Sequence, residues 1–452
     1  MQMVGMPPEI TISAFAETGQ VESTIPVLKQ WSYTGKCVIS STLADISCAD
    51  LGVYGVLKKL NSILNTSYTL GSIISVLNFY LAQGIDFGTA YAYLSPYWND
   101  TQRLYTIQHN LRVKEEEDRD MRKEVLAHDR ITTWAVPPRR MWDLCANQVI
   151  PYWVVPSEHP WGISHAWVDE RERVDMMTVI NGNEWPVPMP KDTNLDLIWI
   201  KMLNHGAEYA WLDVLCLWQE GRKGKHLHKD EWKLDVPTIG YVYEEAYCVV
   251  CYFNGLGRPL HLTVDYFESN RCWFRHAWTL QEITPNPIIG GKTGDDMMED
   301  GVQRRFNEQL TSLREMRKQN MALTLMSEMQ HRASTKPLDK VAGVVYLLQT
   351  DSIPIYDPDQ SAADAWEVLM DAMEPMLRTL LLFYYPEFGK GKKCWQPSWE
   401  HVMTNRVVVP SSAFFLAQVN QTDDPDADYY IGYHIELAHV QGFSKMQTES
   451  KP

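Results

Sequence analysis

The sequence has little cysteine: eight residues in 452. That is too few for a disulfide scaffold, and a chain of this length buries a core without staples. A reducing, cytoplasmic setting is the expectation. Long hydrophobic runs are missing too. The best one, residues 71–82, is interrupted by Asn78 and falls short of the ~20 apolar residues that span a bilayer. The first sixteen residues carry no basic stretch and already contain Glu9, so no secretory leader is expected. Positive charge is scarce: 41 Lys and Arg stand against 57 Asp and Glu, for a formal net charge of -16. A nucleic-acid binder shows a basic stripe and an anionic lipid surface attracts cations, so neither class is expected. No Gly-x-Gly-x-x-Gly follows a strand-like run, which disfavours a Rossmann redox site. Internal repeats and low-complexity tracts are also lacking.

What is present is an ordinary globular apolar content, 45%, and a length that suggests two or three domains. Tryptophan is the anomaly. Of 17 in the chain, twelve fall between Trp134 and Trp278, where an even spread would put roughly five. The middle third is built differently from the ends.

Residues 1–126 read as a helical N-terminal region, with helix-like apolar spacing over 51–64 and 68–82. The charged run over 113–122 reads as a solvated helical face. From residue 127 to 300 the pattern alternates. Residues 192–206 carry an amphipathic stripe of Leu195, Ile198, Trp199, Met202 and Leu203, closed by Gly206 where a left-handed cap is expected. Residues 161–167, 209–217 and 247–253 read as buried strands, with helices over 230–245 and 272–283. Such alternation predicts an α/β core with a parallel sheet. Ligands collect at the carboxyl ends of such strands, which here present His165 and Trp167, Asp213 and Cys216, and Asn254. Residues 301–400 return to helix over 302–333, 339–348 and 362–384, with a kink expected at Pro375. The tail, 401–452, is β-rich over 406–419 and 428–440.

Several residue sets have chemical potential. Cys248 and Cys251 match Cys-x-x-Cys, but inside a strand they point to opposite faces and read as buried thiols. His226 and His228 read as a solvated loop, with a metal pair as the alternative. Asp86-Phe87-Gly88 has no accompanying kinase motif and reads as chance. His165, Asp213 and Cys216 assemble into a thiol set of nucleophile, base and orienting carboxylate, against which Cys216 reads as a buried strand residue. Glu282 follows Trp278 by four residues. Desolvation there would raise its pKa and suit acid/base or cation-stabilising work. The alternative is a helix-end Glu paired to Arg275 or Arg271.

The blocks WGISHAW (161–167), YAWLDVLCLWQ (209–219) and RHAWTLQE (275–282) resemble, in order, three blocks of the fungal heterokaryon incompatibility (HET) domain. The stretch over 130–153, DKVAGVVYLL (339–348) and CWQPSW (394–399) are similar to the form found in mushroom-forming fungi. The resemblance covers roughly residues 130–400. It implies a role in non-self recognition and regulated cell death, and a core distantly similar to TIR domains, with a flavodoxin-like fold. Many TIR domains hydrolyse NAD+ with one glutamate in a Trp-Cys-x-x-Glu block after the third strand. Trp278 and Glu282 look like the counterparts, with Thr279 in place of the Cys.

The resemblance therefore implies an NAD+ glycohydrolase with Glu282 as the catalytic carboxylate. His165, Trp167, Asp213, Cys216, Asn254 and Trp278 would line the substrate site. NAD+ would be a substrate, so no cofactor and no metal are expected, and TIR analogy implies a homo-oligomer. Two other readings stand beside this one: a non-catalytic signalling module, and a thiol hydrolase using Cys216.

Overall fold

The computed structural model describes residues 6–219, 225–294, 298–319, 321–385, 391–405, 417–424 and 427–432. Its centre is a six-stranded mixed sheet. The strands, in chain order, are β1 (Arg140–Asp143), β2 (Gln148–Pro151), β3 (Trp161–His165), β4 (Tyr209–Leu212), β5 (Val249–Tyr252) and β6 (Ile288–Ile289). Their spatial order is β6-β5-β3-β4-β1-β2. β3, β4, β5 and β6 run parallel, with Leu212 opposite Ile163, Tyr252 opposite His165 and Cys251 opposite Ile289. The parallel strands are apolar on both faces because helices cover both sides. The sheet is not wholly parallel as expected: the hairpin β1–β2 adds antiparallel to β4. A short connection can only return antiparallel, and only four residues separate these two strands.

Counting the parallel strands alone as first to fourth along the chain, their order across the sheet is 2-1-3-4. The chain leaves β3 to one side, then crosses back to lay β5 on the other. The crevice where the direction reverses lies between β3 and β5.

The crossovers follow from the sequence with some corrections. Helix Leu195–Asn204 links β3 to β4, and Gly206 closes it at φ +84°. The expected strand over 209–217 stops at Leu212 and becomes a helical turn, Asp213–Cys216. Asp213 Oδ1 accepts from the Val214 amide at 2.8 Å, which starts the turn, and a continuous apolar run does not distinguish strand from buried helix. The helix expected over 230–245 is two, Lys225–Asp235 and Ile239–Glu244, parted around Pro237. His226 and His228 thus belong to a helix and not a loop. Residues 272–283 are a 3-10 turn, Trp273–Arg275, and a short helix, Thr279–Glu282. The break arises because the His276–Ala277 backbone pairs with Ala333 instead.

The N-terminal region is not helical throughout. Glu9–Ser13 and Ser32–Lys36 form an antiparallel pair, and Ile12, Ala14, Ile25 and Val38 join the core around the sheet. Helices Cys48–Ile63, Leu70–Ala82, Phe87–Leu94 and Thr101–Glu124 make a second core with Met141 and Ile150 of the hairpin. Asp86 caps the third of these, its Oδ1 accepting from the Thr89 amide at 2.7 Å. Gly88 sits so close to Gln148 and Ala44 that a Cβ would meet them at 2.8–2.9 Å. The Asp-Phe-Gly triplet is thus a cap and a close approach.

The charged run over 113–122 lies in the helix Thr101–Glu124. It is solvated except at its end, where buried Arg122 binds Asp118 and Asp235.

The region after residue 300 is helical as expected but more finely divided: Asp300–Gln319, Ala322–Gln330, Pro337–Val345, Ala362–Ala372 and Pro375–Tyr384. Pro375 begins its helix, at a position where its missing amide costs nothing, and one more short helix, Trp399–Thr404, follows. Phe306, Val344 and Trp366 share the core of the sheet, so these helices form one body with it. In the tail, Gln418–Asn420 pairs with Tyr429–Ile431; the remainder of the expected β segments lies outside the described residues. No helix among the described residues is long and apolar enough to cross a membrane.

Candidate functional site

At the carboxyl end of β3 the chain presents Ser164 and His165 in succession. Both are buried. Ser164 Oγ bonds Glu282 Oε2 at 2.5 Å and accepts from Trp273 Nε1 at 2.8 Å. The hydroxyl therefore has one proton to give, and the carboxylate receives it. Glu282, 8% exposed, is held in place by the short helix Thr279–Glu282 that follows β5. Neither Arg271 nor Arg275 is its partner: they engage Asp169 and Glu268.

His165 Nε2 lies 2.9 Å from Asp213 Oδ1, and its Nδ1 lies 3.4 Å from the Ala166 carbonyl oxygen. Both ring nitrogens face acceptors, which suits the imidazolium. Burial alone would lower its pKa, but the ion pair and hydrogen bond with Asp213, and the charge of Glu282, raise it above the ordinary value. The Glu282 carboxyl is pushed up to about 7 by burial and by Asp213, while Ser164, His165 and Arg332 pull it down. A carboxyl lifted to about 7 beside an imidazole whose pKa is raised, packed at one strand end, is a typical acid/base arrangement.

Arg332 was not a sequence candidate. Its side chain is fully buried, and its Nη1 donates to the His276 carbonyl at 2.7 Å and Thr279 Oγ1 at 3.0 Å. It thereby fastens the turn that carries Glu282. Its other donors reach Glu328.

Other expected residues divide. Trp167 packs beside His165 with ring centroids 5.5 Å apart, and Arg173 lies over its outer face at 6.0 Å. Together with Met189 and Leu256 they line a recess with only ≈ 10 Å³ of free volume, far below the ~300–1,000 Å³ usual for ligand sites. Trp278 and Asn254 do not line it. Trp278 packs toward Tyr356, with centroids 6.2 Å apart, and Asn254 Nδ2 donates to the Pro259 carbonyl at 3.4 Å.

Cys216 is one helical turn from Asp213, yet its thiol is buried and bonded to the backbones of Leu212 and Trp142. Burial pushes it up to about 12, which leaves no useful thiolate at neutral pH. Cys251 is buried, as expected, but Cys248 is only half-buried. Among the described residues no three His, Cys, Asp or Glu side chains are grouped to hold a metal.

Ser164 and Trp273 were also missed by sequence reasoning. Ser164 had a signal, since a hydroxyl within an apolar strand of buried residues must find a partner. Arg332, fifty residues beyond Glu282 in the chain, had none. No protein-family model matches this chain, and neither a curated protein nor a solved structure does.

Proposed function

We propose that this chain is a HET-type effector of regulated cell death whose TIR-like core hydrolyses NAD+ to nicotinamide and ADP-ribose, with Glu282 as the catalytic carboxylate. The observation that carries the reading is the Ser164–Glu282 hydrogen bond beside the His165–Asp213 pair, at the carboxyl end of the central parallel strand. The strand order 2-1-3-4 supports a flavodoxin-like core, whose ligands bind at the crevice where the order reverses.

Breaking the nicotinamide–ribose bond leaves the bonding electrons on nicotinamide and a cationic, oxocarbenium-like ribose. The Glu282 carboxylate stabilises that cation, and water then adds to the anomeric carbon and loses a proton. Ser164 orients the carboxylate. The Trp167 face that Arg173 covers serves for ring stacking once Arg173 moves aside.

HPLC of NAD+ incubated with concentrated protein tests this, since TIR analogy implies assembly of copies. Wild type is expected to release nicotinamide, Glu282→Gln to lose it by at least a hundredfold, and Cys216→Ala to retain it. Intact NAD+ with wild type would overturn the reading. A second reading, a non-catalytic signalling module, is favoured by the small recess and by the 8% exposure of Glu282. It predicts that Glu282→Gln keeps full cell-killing activity.

A further inference from the structure

The recess beside His165 is closed by an arm of the chain, residues 169–192, built on the antiparallel pair of Arg173–Met176 with Val187–Pro190. Three ion pairs tie this arm to the loops that follow β5. Arg258 engages Asp192 at 2.9 Å and Glu172 at 3.0 Å. Arg271 holds Asp169 at 2.6 Å. Arg173, on the arm, has only a loose pairing with Asp175, at 3.6 Å, and lies over Trp167.

Of these groups Arg173 lines the recess directly. A Cβ on Gly255 would meet Val168 Cγ1 at 2.8 Å and Arg258 Cδ at 3.2 Å, so the Arg258 stem flanks the same glycine as Val168, which lines the recess. The four carboxylates are 57–60% exposed in their side chains. Ion pairs of that exposure are worth about 0–1 kcal/mol each. They are a latch that a better anion can displace.

We propose that Arg173, Arg258 and Arg271 form the pyrophosphate-binding edge of the site, and that the arm's carboxylates occupy this edge while the molecule is closed. Guanidinium forks match phosphate oxygens as they match carboxylates, and a diphosphate offers more charge and more acceptors than any one of Glu172, Asp192 or Asp169. Its binding exchanges the carboxylates for phosphate oxygens and frees the arm. The recess then widens toward Glu282. The identity of the ligand as a dinucleotide rests on the function proposed above; the competition between carboxylate and phosphate does not.

Calorimetric titration of the full chain with inorganic pyrophosphate at low salt tests it. The double variant Glu172→Gln/Asp192→Asn removes two competing carboxylates and is expected to bind about tenfold tighter than wild type. Adding Arg258→Gln to that variant is expected to weaken binding by tenfold or more, and Arg258→Lys by an intermediate factor. A charge-matched pair elsewhere, Glu22→Gln/Asp50→Asn, is expected to change affinity less than twofold. Equal affinity in wild type and the Glu172/Asp192 variant would overturn the latch, as would equal tightening by the remote pair or no binding by any variant. If pyrophosphate behaves as expected while NAD+ stays intact, the hydrolase reading falls and the anion edge stands. If NAD+ is cleaved but the latch variant binds no tighter, only the latch falls.

Discussion

Glu282 and Ser164 illustrate how a residue's setting decides its chemistry. An exposed Glu at a helix end is ionised and inert. Here burial lifts the carboxyl from 4.5 to about 7, so the folded chain binds this proton more tightly than the unfolded chain does. The stability it confers is complete below pH ~4.5 and is lost as pH rises through about 7. Asp143, buried and also raised to about 7, has the same sign, and so does His165, whose raised pKa favours folding at low pH. Glu282→Gln removes the penalty and keeps an acceptor for Ser164. It should stabilise the protein by about 1–3 kcal/mol at pH 8 and leave it nearly unchanged at pH ~4. Urea denaturation at the two pH values checks this, and an equal effect at both would contradict the burial account. His165, Asp213 and Glu282 were all legible as candidates, because strand ends and a Trp-flanked Glu mark positions where polar groups meet a buried edge. Their partnering was not legible. Nothing in the spacing says that Ser164 binds Glu282, a contact across 118 positions.

At the scale of elements, the turn Thr279–Glu282 is too short to hold itself. A single helical turn leaves its terminal amides and carbonyls unpaired, and nucleating one is unfavourable. Arg332 supplies what is missing by bonding the His276 carbonyl and Thr279 hydroxyl, while Ala277 N donates to the Ala333 carbonyl at 2.9 Å. Arg332→Met should leave these acceptors and Glu328 without their donor, at a cost of about 3 kcal/mol. Amide hydrogen exchange should quicken at residues 276–282 before it does in β3 or β5; unchanged protection there would show that the turn stands without Arg332.

Helix Leu195–Asn204 was legible from end to end, because its apolar stripe and left-handed Gly206 are local signals. The strand over 209–217 and the helix over 272–283 were misread for one shared reason. In both, the conformation is chosen by distant partners, Ile163 opposite Leu212 and Ala333 opposite His276.

For the whole molecule, the charged helix Thr101–Glu124 meets the α/β core at a buried carboxylate, besides its apolar packing on Met141 and Ile150. Asp235 is 6% exposed and receives Arg122 at 3.4 Å and Arg139 at 2.7 Å. Asp235→Asn would leave a buried guanidinium short of its counter-charge, so a loss of about 3–5 kcal/mol is expected in chemical denaturation. The same variant with an unchanged midpoint would mean that the two cores are held together by packing alone. That the N-terminal pair of strands, the sheet and the helices after residue 300 share one core was not visible in the sequence. Patterning reports which faces are apolar and leaves open which faces meet. The crowd of Trp was a partial guide. Trp142, Trp185, Trp199, Trp211 and Trp273 are all fully buried in the core around the sheet, whereas Trp167 lines the recess.

Nicotinamide release is the measurement closest to the central claim, followed by HPLC from pH 5 to 9 for wild type, Glu282→Asp and Glu282→Gln. If an ionised Glu282 stabilises the ribosyl cation, wild-type turnover should rise with pH through about 7. Glu282→Asp should keep a reduced rate with that same limb, and Glu282→Gln should show none at any pH. Turnover in Glu282→Gln equal to wild type, or no release by wild type at any pH, would contradict the account.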